Sequence, residues 1–373
     1  MRRDESGISL LEVVIALAIV MLVLYAAITF FIGTVRQYKI QTKIVETNVE
    51  GVLGLELLRR DVESLGFGLH WNDGVTYAER NTGVTAIDSL NDAPAAPRPV
   101  VSINGASSTV NGSDYLVIRS ARVGMASAAG KWTTLQTGAG THPWGPAEEE
   151  LAAGDRVIVI APGGVNQDQR TLVGPATGIS FSSPFPSGYA PPTDLTLSDP
   201  DIFPANLVYG IDNGTLVRPF NRAEYYIDNT AGTIPQRCAA NTGVLVKAVV
   251  RHDADGTTPD LLPLLDCVAD MQVVYGFDMD ANPATELAWS GDVATGGSTA
   301  VLMRTRLKEV RVHILAQEGQ RDDSFRYPSP SVLVGPDNVV GRSFDLNGVI
   351  GSGYPNYRWK VYSIVVKPRN LAN

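Results

Sequence analysis

The feature that most limits this chain is a run of twenty residues, Val13 to Ile32, without a charged side chain and entered through one carboxylate, Glu12. At about 1.5 Å per residue, a helix of that length crosses the roughly 30 Å hydrocarbon core of a bilayer. Glu12 is then the anomaly. A charge at membrane depth costs about 2.5–3.5 kcal/mol on insertion scales, so it needs a partner and marks function. In the stretch Met1 to Gly7, Arg2 and Arg3 are balanced by Asp4 and Glu5. Arg36, Lys39 and Lys43 follow the apolar run, so the basic-residue bias that usually marks the cytoplasmic side gives no clear orientation.

The helical pattern continues past the apolar run. No proline occurs from Thr34 to Leu65, and Val45, Val49, Val52, Leu55, Leu58, Val62 and Leu65 recur at spacings of three and four, which predicts one apolar helix face. The expected stem is one helix over 8–65, about 87 Å long. Its transmembrane part falls at about 10–33, and its second half packs on the rest of the chain. Gly33, Gly51 and Gly54 each cost about 1 kcal/mol relative to alanine and are expected points of bending or melting. Gly66 and Gly68 supply a stop.

From 68 to 373 the sequence reads as β-rich. The runs Asp114 to Arg119, Asp155 to Ile160, Ala223 to Ile227, Gly243 to Lys247, Met271 to Tyr275, Val310 to Leu315 and Val361 to Val366 gather β-branched residues between turn formers. With 36 glycines and 23 prolines and no second long helical pattern, the expected fold class is α+β: a long amino-terminal helical stem packed on a loop-rich β domain. One lobe or two stays open, with the Pro/Ser-rich stretch 182–192 as the candidate break.

Gly7, followed by Ile8 to Leu11 and then Glu12, resembles the class III signal of type IV prepilins and type II secretion pseudopilins. In that family a membrane prepilin peptidase cuts after the glycine and methylates the new amino terminus. The resemblance implies removal of a leader 1–7, cleavage and methylation at Gly7 and Ile8, and an assembly role for Glu12. Ile8 stands where the family usually has phenylalanine. A terminal ammonium meeting Glu12, in the same or a neighbouring subunit, would offset the burial of either charge. Leu57 to Asp61 followed by Leu65, Gly66 and Phe67 narrows the resemblance to PilW-like minor pilins, with Leu65 in place of the usual alanine. The blocks Ala223 to Ile227, Gly243 to Lys247 and Leu264 to Asp278, and the tail strand before Pro368, Arg369 and Asn370, follow that family's order.

What the resemblance implies is a minor pilin of a type IV pilus, acting in filament assembly, initiation or the tip complex. Implied partners are the prepilin peptidase, other major and minor pilins, the inner-membrane assembly platform, a tip adhesin and membrane lipid. Implied topology is single-pass in a bacterial inner membrane, amino terminus cytoplasmic and β domain periplasmic, then pilus or cell surface. The alternatives are a minor pseudopilin of the J class in type II secretion, and an ordinary signal-anchored periplasmic binding or enzymatic domain. A cleavable secretory signal, with Ala16 to Ala18 as its cut site, would leave Glu12 unexplained.

Cys238 and Cys267 are the only cysteines, and in an exported domain an even pair reads as a disulfide worth about 3–4 kcal/mol; two free thiols are the alternative. Asp278, Asp280, Asn282 and Glu286 match part of a calcium-loop spacing, but Pro283 stands where the turn wants glycine and Trp289 where it wants glutamate. A solvated turn is the competing account, and Asp253 to Gly256 is a weaker calcium candidate. No other cofactor is implied. His70, His142, His252 and His313 lie far apart in sequence, and no phosphate loop, nucleophile elbow or HExxH motif occurs, so the expectation is no enzyme. A net charge of −9 argues against nucleic acid as a partner.

Overall fold

A computed structural model describes residues 9–71, 73–105, 109–136, 140–162, 170–172, 183–185, 205–230, 232–252, 258–282 and 286–371. It begins with one unbroken helix, Leu10–Glu63, of 54 residues, about 80 Å long. The strands follow. β1 (Val100–Ile103) and β2 (Tyr115–Ser120) open a large sheet. β3 (Trp132–Gln136), β4 (Gly140–Thr141), β5 (Arg156–Pro162), β6 (Arg170–Leu172), β7 (Ser183–Pro184) and β8 (Ala205–Asp212) form a second sheet. The chain then returns to the large sheet with β9 (Asn221–Asp228), β10 (Gly243–Val250), β11 (Pro259–Phe277), β12 (Ala288–Ser290) and β13 (Leu307–Glu318). β14 (Ser331–Val334) and β15 (Arg342–Asp345) make a hairpin, and β16 (Arg358–Val366) ends the large sheet.

The architecture is α+β, with the large sheet antiparallel in the order β1-β2-β9-β10-β11-β13-β16 and β12 beside β11. All seven sequence runs read as strands overlap strands. The second sheet is inserted between β2 and β9. The candidate break at 182–192 does not separate the two sheets, because β7 pairs with β5 inside the second one; 182 and 186–192 lie outside the described residues.

One face of the large sheet receives the last turns of the stem. Leu58, Val62 and Leu65 are fully buried against Leu116, Tyr225, Leu245, Val268 and Val312. Each such side chain contributes about 1.5–3 kcal/mol. The opposite face carries charge. Glu79, from the irregular segment after the stem, meets Arg119 of β2 at 2.7 Å and Arg222 of β9 at 2.9 Å, and Tyr115 donates to Glu224 at 2.5 Å. Burial alone would raise the Glu79 carboxyl, but the two guanidinium groups overcome this and hold it below its ordinary value. The second sheet lays Ile158, Ile160 and Tyr209 on Leu69, Val75, Tyr77 and Phe220.

Cys238 and Cys267 are bonded, 29 residues apart in sequence and 4.9 Å between Cα atoms, as the sequence predicts. Cys267 has a φ of 56°, a left-handed backbone that costs a side-chain-bearing residue free energy. It sits at a register break between β10 and β11, where a bulge accommodates it.

Two expectations about the stem need correction. The stripe from Val45 to Leu65 is not one face: Val45, Val49 and Val52 are 60%, 55% and 63% exposed, while Leu55, Leu58, Val62 and Leu65 are buried. The reason is the spacing. At about 100° per residue, six steps over twenty residues fall about 160° short of six whole turns, so the stripe winds from one side of the helix to the other. The face on the sheet runs instead through Ile40, Ile44, Gly51, Gly54, Leu55, Leu58 and Val62. Nor do Gly51 and Gly54 melt the helix. They are points of close approach: a methyl on Gly54 would overlap the Leu264 carbonyl, and one on Gly51 would meet Leu265 Cδ1 at 3.1 Å.

Alanine at the helix glycines therefore acts with opposite signs. Gly33, with open space around it, is expected to gain about 1 kcal/mol on Gly33→Ala. Gly54→Ala is expected to lose about 1–3 kcal/mol through overpacking. Thermal and denaturant unfolding of the detergent-solubilised chain measures both; equal signs would contradict the backbone contact.

Candidate functional site: the two faces of the stem

The stem presents two surfaces of different kinds. Leu10 through Ile32 is exposed on every side, because none of the described residues covers it, and it is long and apolar enough to cross a membrane. Glu12 lies in the first helical turn with its amide donating to the Ser9 carbonyl at 3.0 Å, and its side chain is exposed. A helix start carries roughly half a positive charge, which favours a carboxylate there. Gly7 and Ile8 lie outside the described residues.

Above the apolar run, Tyr38, Thr42, Val45, Val49 and Val52 follow one another at spacings of four and three on the side turned away from the sheet. That alternation is the seam along which two helices interlock. Lys43 and Glu46 pair at 2.5 Å beside it. The chain thus turns one stem face to its own sheet and leaves the other exposed.

The stem is locked to the sheet at its end. Asp61 is buried; its carboxylate pairs with Lys247 of β10 at 2.5 Å and accepts the hydroxyl proton of Tyr225 from β9. Burial pushes the Asp61 carboxyl up against the pull of Lys247 and Tyr225, and burial together with the Asp61 charge pushes the Tyr225 hydroxyl up. Sequence alone favours a surface acid at this helix end. The available signal was Lys247, the lone cation in the apolar strand Gly243–Val250.

A cleft of about 810 Å³ lies between this helix end, Trp132, Trp144 and Arg369. Basic and acidic side chains line it in balance, Arg60, Arg122, Lys131 and Arg369 against Asp61, Glu63, Glu148 and Glu149, so its field selects neither sign of ligand.

The candidate calcium residues flank the turn after β11. The Asn282 amide donates to Asp280 at 3.1 Å, and the Asp278 amide donates to the Arg306 carbonyl at 2.8 Å. Glu286 follows 283–285, which lie outside the described residues, as does 253–256. Among the described residues no group of three or more His, Cys, Asp or Glu could hold a metal. Calcium remains an expectation from sequence alone.

No family model, curated protein or solved structure matches this chain.

The lock makes a measurable prediction. Asp61→Asn leaves Lys247 without its counter-charge and is expected to cost about 3–5 kcal/mol. Adding Lys247→Met should cost less than the sum of the two single changes, because the pair acts as a unit. Unfolding of the single and double variants in detergent measures this, and strict additivity would contradict the coupling.

Proposed function

We propose that this chain is a minor pilin of a type IV pilus, anchored by its stem in the inner membrane and then drawn into a filament or its tip complex. The observation that carries this reading is the 54-residue helix, bare and uncharged from Val13 to Ile32 except for Glu12 just before it. A soluble domain has no use for such a surface, and a plain anchor has no use for an acid at the entrance. Cleavage between Gly7 and Ile8 would create an ammonium beside the start of the helix. In the membrane, Glu12 would pair with that group on a neighbouring subunit and fix the axial register of two stems. The seam from Tyr38 to Val52 supports the same contact farther up, outside the bilayer, where apolar burial adds to it.

The amino terminus would face the cytoplasm, within reach of the peptidase and the assembly platform, and the β domain would face the periplasm. The domain would then meet other minor pilins and a tip adhesin.

Intact-mass and amino-terminal peptide mass spectrometry of the protein extracted from its native membrane tests the pathway. The expected chain begins at N-methylated Ile8; one beginning at Met1, or after Ala18, would overturn it. Gly7→Ala is expected to leave uncleaved precursor in the membrane. Glu12→Ala should be cleaved normally yet fall at least tenfold in sheared filaments. Undiminished incorporation would remove Glu12 from the mechanism.

A further inference from the structure

At the end of the large sheet far from the stem's entry lies a guanidinium that forms no ion pair with any described residue. Gly319, just past β13, approaches Ile44 of the stem, whereas β13 begins at Leu307, about 40 Å away at roughly 3.3 Å per residue. Arg304 lies just before that beginning, on the short helix Ala300–Arg306. It is 6% exposed, and its Nη1 is buried without a hydrogen-bond partner. Among the described residues no carboxylate forms an ion pair with it. Its guanidinium lies over the indole of Trp71, 4.3 Å from the ring centre, and Arg170 of β6 lies over the same indole at 4.9 Å. Burial, with Arg170 adding to it, lowers Arg304 to about 10 against the pull of Asp73. Asp73 accepts the Ala96 amide at 2.7 Å.

A buried cation beside a second cation is unfavourable unless an anion joins them. The last-turn position on a seven-residue helix and the indole contact offset only part of that cost. Two fully buried guanidinium groups elsewhere show what charge compensation looks like: Arg119 and Arg222 share Glu79. Arg304 lacks any counterpart of that kind.

The charge and the depth of the site narrow what it takes. Two guanidinium groups less the Asp73 carboxylate leave one positive charge, which a monoanion balances. Arg304 is nearly enclosed while Trp71 and Arg170 are half-buried, so the anion approaches from their side on a slender chain. A guanidinium matches the two oxygens of a carboxylate in geometry. We propose that Arg304 and Arg170, gathered on Trp71, receive one carboxylate from a partner protein, an Asp or Glu side chain. The site is independent of how the stem is processed or anchored.

The test uses the full-length protein in detergent micelles at ionic strength fixed with sodium chloride. It is titrated with acetyl-Gly-Glu-Gly-amide, with the Gln counterpart and with inorganic phosphate, reading tryptophan fluorescence and Tm. The expected result is a saturable fluorescence change and a rise in Tm with the Glu peptide only. Arg304→Gln and Arg170→Gln should each weaken that binding at least tenfold. If Arg304→Gln fails to fold, the half-exposed Arg170→Gln carries the test. A flat titration, an equal response to the Gln peptide, or undiminished binding by Arg170→Gln overturns the site. Phosphate binding tighter than the Glu peptide overturns the carboxylate as its ligand.

Discussion

Stem and sheet meet backbone to backbone where Gly54 lets the Leu264 carbonyl of β11 come close, and the rest of the molecule is arranged around that contact. A larger residue would hold the helix away from the sheet, and Leu58 and Val62 would lose the depth at which they are now fully buried. Asp61 then completes the junction about two helical turns farther on, with Lys247 and Tyr225. Packing fixes the distance between helix and sheet, and the ion pair fixes how far the helix may slide or turn. Either alone leaves one motion free.

Buried charge serves different ends in different places. On the face of the large sheet away from the stem, Glu79 collects Arg119 and Arg222 and so ties an irregular segment to β2 and β9. Glu79, Arg119, Arg222 and Glu224 each touch an opposite charge, and the cluster holds the fold. Arg304 and Arg170 share an indole with no such opposite between them. Where the same chain joins one guanidinium pair to a carboxylate by direct ion pairs and leaves another with only the nearby Asp73 charge, the second pair is the one with something left to bind.

What could be read from the sequence was what depends on neighbours along the chain. The length of the stem, its uncharged span and the acid at its entrance are local, and so are the alternating runs that became β9, β10 and β13. The disulfide was legible because two cysteines admit only one pairing. The docked face of the stem was not, because apolar residues at spacings of three and four occur on both sides and only the glycines distinguish the close one. The partners of Asp61 and Glu79 were hidden for another reason: Tyr225 is 164 residues from Asp61, and Arg119 is 40 from Glu79. Arg304 was invisible as well, since a cation in the last turn of a helix normally reads as a solvated end.

Lengths along the stem determine how a second subunit could reach it. With Leu10 to Ile32 in the bilayer, about 35 Å of helix is used for the crossing, and the 31 residues from Gly33 to Glu63 stand about 46 Å above it. The sheet is met from Ile40 onward, on one side only. Tyr38 to Val52 occupies the other side, between about 8 and 29 Å above Gly33, at a height where the domain shields the opposite face. A neighbouring helix can therefore approach from a single direction. In the filament we propose, register and direction would be set by different parts of the stem: the acid at Glu12 would limit axial offset, and the bulk of the domain would limit the angle of approach. Neither part could supply the other's constraint, which is why a bare apolar segment and a one-sided packed segment belong on the same continuous helix.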